Sequence, residues 1–146
     1  MSEIEPAIVR VIEAYKAAVA ARDIVAFMRL YDPAVRVFDA WGVWSYEGAA
    51  PWQVAVEGWF ASRPNDRLKA TFEDVNVVST PAFACLSAIV THTVVQAQGE
   101  PLNAMQNRLS WILKTSGHVP RIIHEHTSSP IGFEDGKAIL KRPAKP

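Results

Sequence analysis

The sequence predicts an α+β fold: three N-terminal helices packed on a strongly curved antiparallel sheet. Three observations carry that prediction. Helical spacing of apolar residues is confined to the chain before about Ala61. From Arg67 to Ser128 apolar residues alternate instead, in runs separated by turns containing Pro or Gly. The phase of that alternation slips once, between Phe72 and Val75, the mark of a bulge that bends a strand. Helices laid on the concave face of a bent sheet leave a cone with a cavity.

The first helix is predicted over about Glu3 to Ala21. Ser2 and Glu5 form a capping box, Pro6 falls in the tolerant first turn, and Ile4, Ile8, Val11, Ile12, Tyr15, Ala18 and Val19 recur at helical spacing. Asp23 is the N-cap of a short second helix, Ile24 to Leu30, which Asp32-Pro33 stops. Val35 to Asp39 is β-like and runs into a loop with Trp41, Trp44 and Tyr46. Pro51 opens a third helix, to about Ala61, with Trp52, Val56, Trp59 and Phe60 as its buried stripe. A meander follows. Its first strand carries Leu68, Ala70 and Phe72, then Val75 and Val77 in the opposite phase. Later strands are expected over Ala82 to Gln98, Leu102 to Lys114 and Arg121 to Ser128. Residues 131–146 read as a solvated tail of a single domain spanning 1–146.

Composition narrows the function. The chain has 146 residues, 49% of them hydrophobic, and a formal net charge of zero. That suits one folded domain and argues against disorder and against nucleic acid as a partner. One cysteine, Cys85, excludes an internal disulfide. In an apolar strand it reads as a buried small hydrophobe. No signal peptide or membrane span is visible, so a soluble, cytoplasmic protein is expected.

Chemistry concentrates between Arg108 and Pro130. Arg108 is the only Lys or Arg after Lys69 until Lys114, and no Asp or Glu lies between Glu100 and Glu125. Such an arginine is paired by a carboxylate from elsewhere, exposed at a wet edge, or waiting for an anionic or carbonyl ligand. Alternation puts Arg108, Ser110 and Ile112 on one face and Leu109, Trp111 and Leu113 on the other. It likewise groups His124, His126 and Ser128 against Glu125 and Thr127. His124 and His126 are read as hydrogen-bonded side chains facing the cavity. A metal site with His92 as third ligand lacks an acid or cysteine at useful spacing, so neither metal nor cofactor is expected. His92, mid-strand in an apolar run, is a weaker pocket candidate. Trp41, Trp44 and Trp59 are candidate cavity walls or core.

The order of elements, Phe38-Asp39, Tyr46-Glu47-Gly48, Arg108 and His124-Glu125-His126-Thr127-Ser128-Ser129-Pro130 resemble the SnoaL-like proteins of the nuclear transport factor 2-like superfamily, relatives of the ketosteroid isomerases. The His-x-His-x-Ser-x-Pro run is also similar to the association domain of calcium/calmodulin-dependent kinase II. Tyr15, Asp23, Tyr31 and Asp39 stand at the spacing of the isomerases. That resemblance implies Tyr15 as an oxyanion hydrogen-bond donor and Asp39 as a general base; the alternative for Asp39 is a strand-end aspartate capping the aromatic loop. The isomerases' second donor, a protonated acid on the penultimate strand, is missing, with Arg108 the nearest polar candidate. Three functions follow from the resemblance. One is a cofactor-free isomerase, cyclase or lyase acting on a small carbonyl or hydroxy compound. Another is a pocket that holds a small carboxylate through Arg108 and His126. The third is an oligomerisation module. A homodimer through the open sheet face is expected in each.

Overall fold

The computed structural model describes residues 4–143, with side chains from Pro6 onward. The Ser2–Glu5 capping box and Lys145 lie outside the described residues. The elements are α1 (Ile4–Ala21), α2 (Ile24–Met28), β1 (Tyr31–Phe38), β2 (Tyr46–Glu47), α3 (Ala49–Ala61), β3 (Arg67–Ser79), β4 (Phe83–Val95), β5 (Pro101–Lys114) and β6 (Arg121–Ser128). The fold is α+β, with three helices against a curved, unclosed sheet. The strand order is β2-β1-β6-β5-β4-β3. All neighbours are antiparallel except β1 and β6, which run parallel, so the sheet is mixed rather than antiparallel. That pairing joins the start of the sheet to its end and sets Phe38 opposite His126.

Helix α1 buries Ile8, Val11, Ile12, Tyr15, Ala18 and Val19, the stripe its spacing predicts. It stops at Arg22, which takes a left-handed conformation (φ 51°). Arg22 and Asp23 return their N–H groups to the carbonyls of Val19 and Ala18, the Schellman closure usually given to glycine. The strain of placing arginine there is offset by its guanidinium, which donates to the carbonyls of Phe60, Arg63 and Asp66 at the end of α3. Asp23 then caps α2, accepting from the Ala26 N–H at 3.0 Å. In α3, Pro51 is the third residue, inside the first turn where no donor is needed.

The predicted slip in β3 is a bulge. Its register against β4 shifts between Glu73 and Asn76, with Asp74 at φ 53°. On β4 the buried positions are Ala84, Leu86, Ala88 and Val90. Cys85 therefore points to the outer face and is exposed, not buried as its apolar neighbours implied. The tail is exposed from Phe133 onward among the described residues, and it also bonds to the sheet. Where β6 has ended, the Gln106 N–H donates to the Leu140 carbonyl at 2.8 Å, and Arg142 pairs with Asp74 at 2.6 Å. Among the described residues no helix is long and apolar enough to cross a membrane.

Candidate functional site

The concave face of the sheet and the helices enclose a cavity of about 400 Å³, within the range of small-molecule sites. Strand alternation decides what enters it. Along β1, Val35 and Val37 are fully buried, and Asp39 follows in the same phase just past the strand end. Tyr15, the inward residue of α1, reaches the same cavity. Trp41 and Trp59 supply aromatic wall, and His92 lines it from β4.

Other candidates point elsewhere. Arg108 is on the outer face of β5, exposed, with Nε donating to Ser128 Oγ at 3.0 Å. His124 and His126 share that outer face with Phe38, whose ring meets both imidazoles edge-on at 5.1 and 5.5 Å. Nδ1 of His124 is taken by the Arg36 carbonyl at 2.8 Å. Trp44 is 97% exposed, so it is no wall of the inner cavity. It borders a second, outer groove of about 620 Å³ with Arg36, Phe38 and His126. Asp39, Gly42 and Thr127 line both spaces, so the loop after β1 divides them. Gly42 has φ +82°, a backbone state that a side chain at this divider would strain.

Inward polar residues that were not among the sequence-predicted candidates include Glu125, Thr127 and Asn107. Glu125 is 2% exposed, and its Oε1 accepts from both Tyr31 Oη at 2.6 Å and Trp111 Nε1 at 2.9 Å. Thr127 Oγ1 accepts from the Ala40 N–H at 2.9 Å and donates to Asp39 Oδ1 at 3.0 Å. The chain of bonds from Ala40 through Thr127 fixes the Asp39 carboxyl at the cavity edge, and the Trp41 N–H approaches its other oxygen at 3.4 Å.

These surroundings set the protonation states. Burial raises Asp39 above the usual carboxylate value, against the lowering effect of Thr127 and the Trp41 and Ala40 amides. Burial raises Glu125 further, to about 7, the Asp39 charge adding to it and the bonds from Tyr31 and Trp111 opposing it. Tyr15 is raised well above 10 by burial, then by Glu125 and Asp39, so its hydroxyl stays a donor. His92 is lowered to about 4 by burial and is neutral near pH 7. The cavity thus offers a basic carboxylate, a protonated phenol, a carboxyl near its midpoint and a neutral imidazole. Among the described residues, no three His, Cys, Asp or Glu side chains are placed to hold a metal ion.

Comparison with known proteins agrees with this architecture. The SnoaL-like domain family model matches residues 8–132, and the chain belongs to that family. Among solved structures it is similar to an NTF2-like protein of unknown function from Pseudomonas putida KT2440, at 21% identity and TM-score 0.81, covering 97% of this chain and 96% of that one. ActVI-ORFA from Streptomyces coelicolor superposes with TM-score 0.76 at 8% identity, covering 87% of this chain and 97% of that one. A protein from Xanthomonas campestris resembling the calcium/calmodulin-dependent kinase II association domain superposes with TM-score 0.70 at 16% identity, covering 83% and 84%. No curated protein matches the sequence at a significant level. The likenesses establish an NTF2-like, cystatin-like fold.

Proposed function

We propose that this protein binds a small, mostly apolar molecule in the inner cavity and moves a proton on it without a cofactor, as an isomerase, cyclase or lyase does. The observation that carries this reading is that Asp39 and Tyr15 line one cavity. Burial raises the basicity of Asp39, the direction that favours proton abstraction next to a carbonyl. Tyr15 keeps its proton and can donate to the oxyanion that forms. Thr127 positions the base. The alternative of a carboxylate held by Arg108 and His126 has less support, since both side chains lie outside this cavity.

Asp39→Asn tests the reading. In a panel of small cyclic ketones and hydroxy ketones, it is expected to lower turnover by about 10²–10⁴-fold, the usual worth of a positioned base. Unchanged turnover in the variant would remove Asp39 from the mechanism.

A further inference from the structure

We infer that the inner cavity is built for an uncharged ring compound and rejects a carboxylate of the same shape, with His92 and Asn107 receiving the ligand's polar end. The inference rests on the reading above, that the cavity binds a small molecule, and adds the class of molecule.

The first argument is the sign of the charge. The cavity carries two acids, Asp39 and Glu125, and no Lys or Arg among its described lining residues. The arginine that could have balanced an anion, Arg108, is bonded to Ser128 on the opposite face of β5. His92 is no substitute cation, because burial keeps it neutral near pH 7. An anionic ligand would enter a space of low dielectric facing Asp39, with no partner for its charge.

The second argument is unmet hydrogen bonding. Nδ1 of His92 and Oδ1 of Asn107 are buried and have no hydrogen-bond partner among the described residues, and Asn107 as a whole is only 5% exposed. A buried polar atom left unpaired costs about 1–3 kcal/mol. The two residues lie on adjacent strands and face the same way. Val90 pairs with Asn107 and His92 with Met105, so they are diagonal neighbours on the cavity side of the sheet. An amide and a neutral imidazole each offer one donating and one accepting side, and a half-turn of the amide or a change of imidazole tautomer exchanges them. That pair matches a hydroxyl or a carbonyl. The walls from Trp41, Trp59 and Val56 match a ring.

Isothermal titration of the full chain at pH 7 with 2-naphthol and 2-naphthoate tests this. The two probes share a ring system and differ in charge. The naphthol is expected to bind at least tenfold more tightly. Asn107→Leu is expected to weaken naphthol binding roughly five- to tenfold, the worth of one neutral hydrogen bond. The same change removes an unpaired buried atom, so the melting temperature of the free chain should hold or rise. A merely structural role would lower it instead. Asn107→Ala gives the same binding comparison if leucine overfills the site. Naphthoate binding as tightly as naphthol, or naphthol affinity unchanged in both variants, would overturn the inference and leave the pocket reading standing. Binding of neither probe would overturn both.

Discussion

Glu125 is an acid buried at the centre of the fold, bonded by Tyr31 and Trp111. Its carboxyl is held between Tyr31 and Trp111, and it takes a proton more readily than an exposed glutamate. The sign of the consequence is fixed. Its folded value, about 7, lies above its ordinary 4.5, so the native state binds the extra proton. Glu125 therefore costs nothing below about pH 4.5, and stability is lost as pH rises from there through 7. Glu125→Gln keeps an acceptor for Tyr31 and Trp111 but cannot ionise. The variant is expected to be little changed in stability at pH 4.5 and more stable than the wild type at pH 8, by about 3 kcal/mol at most. Urea unfolding at the two pH values checks this. An equal effect at both would mean that Glu125 does not ionise over this range.

At the scale of elements, the hairpin of β5 and β6 explains what could be read in the sequence and what could not. Alternation sorted its residues into two faces correctly, but the choice of inward face needed weighing. Leu109, Trp111 and Leu113 bury more apolar surface than Arg108, Ser110 and Ile112, so that face turns in. Cross-strand pairing then carries partners along: Trp111 sits opposite Glu125 and Leu109 opposite Thr127, while Ser110 faces His126 and Arg108 faces Ser128. Read that way, the acid and the threonine belong to the cavity and the histidines and arginine to the outside. The bulge in β3, the Asp23 cap and the α1 stripe were all legible because each is a local pattern. The parallel pairing of β1 with β6 was not, because it joins segments far apart in the chain.

That outer face also bears on assembly. It presents Phe38, Ile89 and Ile112 partly covered, and Phe83 at 46% exposure. We propose that two copies pair through it. Sedimentation velocity is expected to give a dimer for the wild type and a monomer for Ile112→Arg, with circular dichroism unchanged. A monomeric wild type would contradict the pairing.

Taken whole, the molecule has two differently built sides to one sheet, and the two proposed roles fall on opposite sides of it. The inner side supplies a cavity whose polar groups come from α1, the loop after β1, β4, β5 and β6. No single segment holds the site, so it exists only when β1 has paired with β6. The outer side supplies a surface with histidines, an arginine and a shallow groove of its own. Family membership and fold are established; the proposed chemistry requires that a ligand enter the inner side. Crystals soaked in 2-naphthol test it most directly. The ring is expected between Trp41 and Trp59, in the cavity that Asp39 and Tyr15 line. A ring seated in the outer groove beside Phe38 and Trp44, or no ring at all, would contradict it.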